Sequence, residues 1–405
     1  MNTAIASIIR DHLAERHDEL IRIREHIHMH PELSFEEHAT SAYIQRQLDD
    51  LGINYTAGVC DTGIVAEIGS GDTCVALRAD IDALPIMEQN DHTYKSKHAG
   101  VMHACGHDVH TTCLLGAASA LLQIEKDLPG RVRLIFQPGE EKLPGGASQM
   151  IAAGVLRDPV PVVIIGQHVH PELEVGKCSF RGGPSMASTD EIYITIKGVG
   201  GHGAMPHLSR DPIAAAAAVI SACYQMVQRR ANPVKPMVFT IGKIQSDGGA
   251  TNVIPASVRM EGTFRCLDEE MRTALQTDLQ NCVEHTALAH GCEAEWKLVR
   301  GYPYLHNDET WSAYAMDSAA EYLDKAHVLP LELRMTAEDF SYHSQEVPAV
   351  FYRLGVRNES KGIIYPVHHP RFDADPQALL HGSGMMAWLA YSALERVASQ
   401  KHGQA

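Results

Sequence analysis

Within Met102–Cys113, residues 103–110 set a thiol, three imidazoles and a carboxylate shortly ahead of the apolar run Leu114-Leu115-Gly116-Ala117-Ala118-Ser119-Ala120-Leu121-Leu122. The Ala/Leu run is long enough for a helix, so Cys105 and His107 fall at or just before its N-terminus. Backbone N–H groups and the helix dipole favour an anion there, and the thiolate is the form of cysteine that ligates a metal. Taken alone, the same residues also read as a helix start with hydrogen-bonded histidines and a small buried cysteine.

Three further stretches of the same character tip the balance towards a metal site. They are Gln137-Pro138-Gly139-Glu140-Glu141, Gly166-Gln167-His168-Val169-His170 and Val367-His368-His369-Pro370. Each follows a β-rich apolar run, as in 132–136 and 162–165, and ligand sites in open α/β sheets gather where such strands end. Four polar clusters on one rim are hard to read as packing.

At 405 residues the chain exceeds one usual domain, so two domains are expected. Lys plus Arg is 34 against 50 for Asp plus Glu, a net charge of −16, which argues against nucleic acid or an anionic membrane as a partner. The N-terminus has no basic signal-like region, and no apolar run approaches the ~20 residues of a membrane span. Nine cysteines without regular spacing do not form a disulfide framework, so a reducing cytoplasm is the expected home.

Residues from about 8 to 28 have helical spacing and end before Pro31. His26, His28 and His30 lie at every second position, which on a helix points them to different faces and argues against joint ligation. Ser34-Phe35-Glu36-Glu37 reads as the start of a second helix through Leu51, closed by Gly52. Strands follow at 63–68 and 74–78, the latter leading to Asp80 and Asp82, which are either turn formers or partners of ligating histidines. A helix after 108, a strand at 131–137, a helix after Gly146 and a strand at 162–167 complete a β/α alternation.

After Pro184 the texture changes. Residues 189–197 alternate as a half-exposed strand, and a helix at 212–228, strands at 237–245 and 254–264, a helix at 268–289 and a strand at 293–299 complete a βαββαβ unit. We read this unit as an insertion. The α/β texture then returns with a helix near 310–323, a strand near 349–354, the His368 segment and a last helix over 376–397. The expected division is residues 1–183 and 301–405 for an α/β catalytic domain, and 184–300 for an inserted ferredoxin-like α+β domain.

Gly198-Val199-Gly200-Gly201-His202-Gly203 formally matches a dinucleotide fingerprint. The alternating strand before it, Pro206 after it and the lack of a βαβ unit argue against a nucleotide site. Neither a Gly-x-Ser-x-Gly elbow nor a His-Glu-x-x-His motif is present. A metal-independent thiol hydrolase built on Cys105 and His107 would leave the glutamate pair and the distant histidines unexplained. In a metal hydrolase, by contrast, one glutamate of Glu140-Glu141 ligates while its neighbour takes a proton from metal-bound water.

The assembled motifs resemble the M20 family of metallopeptidases and amidohydrolases, in the branch of hippurate hydrolases, auxin-conjugate hydrolases and N-acyl-L-amino acid amidohydrolases. The resemblance runs through His28–Ser34, Arg78–Pro85, Met102–Asp108, Pro138–Glu141, Gly200–His202, Asn252–Pro255, Ala337–Phe340 and His368–Pro370. It implies a zinc-peptidase-like catalytic domain interrupted by a lid and dimerisation domain, and two divalent ions per subunit, whether Zn, Mn, Co or Ni. By motif, the ligands would be Cys105, His107, Glu141, His168 and His368, with Glu140 as general base. His202 would stabilise the oxyanion, Asn252 and Arg265 would hold the substrate carboxylate, and Asp80 and Asp108 would orient the ligands. The implied reaction is hydrolysis of a small N-acyl amino acid by a homodimer or higher homo-oligomer; dipeptidase or carboxypeptidase action within the family is the alternative. Two features depart from the broader pattern. Arg78 stands where many relatives have a metal-binding histidine, and Leu143-Pro144 replaces glycines after the glutamate pair.

Overall fold

In the computed structural model, which describes residues 3–402, two compact units form. One comprises the residues up to Gly183, His306–Glu332 and those from Asp339 onward; the other comprises Pro184–Leu305 and Leu333–Glu338.

The first unit is built on an eight-stranded sheet in the order Tyr55–Val59, Gly63–Gly69, Arg131–Gln137, Cys74–Asp80, Val163–Glu174, Ala349–Arg357, Cys178–Phe180, Val328–Pro330. The four strands from Arg131–Gln137 to Ala349–Arg357 run parallel, so their carboxyl ends share one rim. Strands covered on both faces carry continuous apolar runs rather than alternation, and Cys74–Asp80 is buried throughout. Helix His107–Gln123 packs on this sheet and also touches helices Gln377–His402, His17–Met29 and Thr3–Glu15. That encirclement explains its Ala/Leu/Gly composition: a helix apolar on all sides is a buried one, and small side chains let neighbours approach.

The second unit is a four-stranded antiparallel sheet, Met237–Ser246, Ser257–Cys266, Asp190–Lys197, Glu293–Arg300, carrying helices Pro212–Arg230 and Glu269–Ala289. Taken in chain order this is a βαββαβ, ferredoxin-like arrangement. Strand Asp190–Lys197 alternates buried and more exposed positions as its period-two pattern requires. Asp211 and Asp268 cap the two helices through their carboxylates.

Some local expectations change. The single N-terminal helix is two, Thr3–Glu15 and His17–Met29, meeting at Arg16, whose N–H donates back to His12 and Leu13 while its carbonyl opens the second helix. The next helix starts at His38 rather than Ser34. Glu37 does not close a capping box: its carboxylate accepts from Phe35 N, Gly139 N and Thr62 Oγ1, and Ser34 Oγ donates to Asp82. Long-range partners outcompete the local cap. Strand Val163–Glu174 runs well beyond residue 167, because Ala349–Arg357 supplies a parallel partner along most of its length.

Candidate metal centre

Three elements of the parallel sheet deliver the site. Asp80 ends strand Cys74–Asp80, Glu140 and Glu141 lie just beyond strand Arg131–Gln137, and His168 lies within strand Val163–Glu174, two residues past the last pairing with Cys74–Asp80. Cys105 and His107 come from the start of helix His107–Gln123, where Gly106 adopts φ +82°. A Cβ on Gly106 would sit 2.6 Å from Val169 Cγ2, so the turn between the two donors admits only glycine without rearrangement.

His107 shows how the donors are aimed. Its Nδ1 lies 3.1 Å from Asp82 Oδ1, and Asp82 is itself held by Ser34 Oγ and by the Glu141 N–H at 3.0 Å. A carboxylate on one ring nitrogen leaves the other as the ligand atom. That atom, Nε2, is buried without a hydrogen-bond partner and faces Asp80 Oδ2 at 3.8 Å and Glu140 and Glu141 oxygens at 4.0 Å. His168 is oriented likewise: Nδ1 donates to its neighbour's carbonyl at 2.8 Å, leaving Nε2 3.4 Å from Cys105 Sγ. Burial, helped by Arg353, holds His168 well below the usual histidine range, so it stays neutral, as a ligand must. Burial opposes charge on His107 too, but Asp80, Asp82 and Glu141 outweigh it and raise the ring to about 10. This pocket attracts positive charge.

His368 reaches the cluster from a strained backbone, φ +63°, with its N–H on the Ala104 carbonyl at 2.7 Å. Its Nε2 lies 3.4 Å from Glu141 Oε1, a buried atom with no hydrogen-bond partner. Donor atoms of Cys105, His107 and His168, of Cys105, Glu141 and His368, and of His107, Glu140 and Glu141 each fall within 4.8 Å of one another. Imidazole, thiolate and carboxylate donors in overlapping triads, with orphaned Nε2 and Oε1 atoms aimed inward, fit a pair of divalent cations.

His110 also lies here, yet both its nitrogens are engaged: Nδ1 with Asp80 Oδ1 at 2.6 Å, and Nε2 accepting the Val169 N–H at 2.9 Å. It is a strut. Asp80 therefore orients His110 and also accepts from Arg78 at 2.6 Å. Arg78 is a buried tie from Asp80 to Gln137 and Asp339. Asp108 departs from expectation. It faces away from the ligands, binding Arg24 Nε and His28 Nδ1 at 2.8 Å each, because its place in the first helical turn turns it towards helix His17–Met29. Asp82 is the carboxylate that orients a donor.

Sequence reading gave neither Glu37 nor Asp339 a place at the metal centre. Glu37 takes the Gly139 N–H at 2.8 Å and so holds the turn before the glutamate pair. Asp339 binds Arg78, Gln137 and Ala147 N, and its own N–H lies 3.4 Å from Glu140 Oε1. Both acidic residues lie in quoted motifs, but nothing local reveals partners 102 and 199 residues away.

The other predicted residues belong to the second unit. His202 and Asn252 line one open cavity of about 570 Å³, together with Gly200, Asp247 and Pro255, where the short strands Gly201–His202 and Val253–Ile254 pair. His202 Nδ1 accepts the Ala204 N–H at 3.1 Å, which puts the ring proton on Nε2 and makes that atom a donor. Arg265 lines a different cavity of about 400 Å³ on the sheet, with Glu191, Tyr193, Lys243 and Glu261. The structure does not bring Arg265 to the cavity of His202 and Asn252.

A metal-hydrolase rim at the ends of parallel strands, interrupted in sequence by a ferredoxin-like unit, defines the class. Residues 76–392 match the model of peptidase family M20/M25/M40, and the chain belongs to that family. It is 40% identical to the N-acetyl-L-cysteine deacetylase of Bacillus subtilis over 90% of this chain and 86% of that one. It is 36% identical to the IAA-amino acid hydrolase ILR1-like 4 of Arabidopsis thaliana, covering 93% and 87%. Among solved structures it resembles the Bacillus subtilis YXEP protein, a dinuclear metal-binding M20 peptidase, with a TM-score of 0.81 and 36% identity over 94% of this chain and 99% of that one. The chain is accordingly a hydrolase of the amidohydrolase type.

Proposed function

We propose that this protein hydrolyses the amide bond of N-acyl-L-amino acids, releasing a carboxylic acid and a free amino acid. The convergence of Cys105, His107, Glu141, His168 and His368, with Glu140 beside them, carries this reading. Those five would hold two divalent ions, Zn, Mn, Co or Ni all being compatible with the donor set. Such ions, when bound, polarise a carbonyl and acidify a water.

The chain's own groups do the remaining work. Glu140 takes the proton of the attacking water and returns it to the leaving amine nitrogen. Asp339 N, at 3.4 Å, and the Glu37-held turn keep its carboxylate in place. We assign His202 Nε2 to the tetrahedral oxyanion, a donor typically worth ~3 kcal/mol in the transition state, and Asn252 to the substrate carboxylate; Arg265, in its separate cavity, is given no part in that contact. The second unit is proposed as lid and dimerisation domain of a homodimer. A cytoplasmic home suits the nine free cysteines, and no helix among the described residues is long and apolar enough to cross a membrane.

The test is a hydrolysis panel of N-acetyl, N-benzoyl and indoleacetyl amino acids, with dipeptides included, on metal-reconstituted protein. Glu140→Ala should keep its metal and lose nearly all turnover; unchanged turnover removes Glu140 from the mechanism. Activity that survives chelation but not alkylation would instead establish the thiol reading of Cys105.

A further inference from the structure

We propose that His28, Glu88 and His92 form an additional cation site in the first unit, sharing no ligand with the centre above and taking a zinc-like divalent ion in a structural role. Glu88 Oε1 lies 3.3 Å from His28 Nε2 and 3.1 Å from His92 Nε2, and the three donor atoms all fall within 4.8 Å of one another. Two donors bonded at zinc–nitrogen and zinc–oxygen lengths to one tetrahedral ion stand about 3.3 Å apart. The spacing suits ligands, and an ion would replace the hydrogen bond that His28 Nε2 now makes with Glu88.

The surroundings aim these atoms as a metal site requires. His28 Nδ1 sits 2.8 Å from Asp108 Oδ2, and Asp108 is pinned by Arg24, which leaves His28 Nε2 facing Glu88. Glu88 is steadied by the Ser96 N–H at 2.7 Å and Asn90 Nδ2 at 3.2 Å. The His92 ring is stacked on Tyr94 at 3.7 Å. Although close to Glu88, His92 Nε2 is off the line of a hydrogen bond, and both its ring nitrogens are buried without a hydrogen-bond partner. His103, 1% exposed and with its ring centre 6.4 Å from that of His28, likewise has two buried nitrogens without partners and stands beside the site as a further donor.

Charge and chain path point the same way. Arg24 bridges Asp108 and Asp373 and is the fixed cation of this cluster, while Glu88 adds a third carboxylate. A divalent ion on Glu88 would take the place of the proton that His28 shares between Asp108 and Glu88. Between strand Cys74–Asp80 and helix His107–Gln123 the chain has no regular element, and this segment carries Glu88 and His92. An ion here would staple it to helix His17–Met29.

The full-length chain, stripped of metal, reloaded with zinc and desalted, is assayed for zinc per chain by mass spectrometry. His92→Ala, on the most accessible ligand, and Glu88→Gln should each hold one ion fewer than the parent, with His92→Ala retaining the parent's hydrolysis rate. The same one-ion difference should appear in a Cys105→Ala, His107→Ala background, so failure of the proposed catalytic centre does not mask it. Zinc should also slow amide exchange over residues 85–101 in the parent and not in His92→Ala. Equal zinc content in parent and both variants, or exchange in that segment indifferent to zinc, overturns the site.

Discussion

Asp82 ties His107 to the backbone of the glutamate pair, a link that no motif announces. One oxygen orients His107, and the other receives Ser34 Oγ and the Glu141 N–H. Asp82→Asn keeps the shape but removes the charge that makes His107 a strong donor, and should weaken metal binding 10- to 100-fold, read by competition with a chromophoric chelator. His343 carries a pH prediction. Burial, with Arg78 adding to it, lowers this histidine to about 3. Its folded value lies below the unfolded 6.5, so its contribution is complete above pH 6.5 and is lost as pH falls towards 3. Between pH 7 and pH 5 the parent should lose about 2 kcal/mol that His343→Gln retains, seen in urea unfolding at the two pH values. At this scale the ligand types were legible because few other residues do that chemistry. Asp108 was misplaced because a motif records adjacency in the chain, and its carboxylate answers to Arg24 and His28 on another helix.

Helix His107–Gln123 shows the strengths and gaps of reading elements. Its apolar run and its polar start were plain, and so was the placement of Cys105 and His107 at its entrance. The requirement for glycine between them was not, since it arises from Val169 on a strand and from a left-handed turn. Gly106→Ala should cost about 2–4 kcal/mol, part left-handed strain and part overpacking. A second change, Val169→Ala, should recover only the packing share, as thermal melts of the single and double variants would reveal. The start of helix His38–Asp50 was misread for the same reason: Glu37 has the sequence look of a capping residue but spends its carboxylate on Gly139 and Thr62. Propensity loses where a buried partner offers a better hydrogen bond.

For the whole molecule, all five proposed ligands reside in the unit built on the eight-stranded sheet, and none in the ferredoxin-like unit. Metal binding stabilises the unit that holds it, so calorimetry of stripped and reloaded protein should show one transition shifting upward and another unmoved. A single shift of both transitions together would show that the units unfold as one. Residue order by itself determined that a β/α alternation would be interrupted by an alternating, one-side-wet βαββαβ segment, because strand burial on one face or two writes itself directly into the sequence. The donor types and the glutamate pair were equally open to reading. Only the tertiary structure decided which carboxylate orients which imidazole, that His110 is a strut, and that His28, Glu88 and His92 converge. Those outcomes depend on where separate elements meet through space, and a linear sequence carries no distance between its own distant parts.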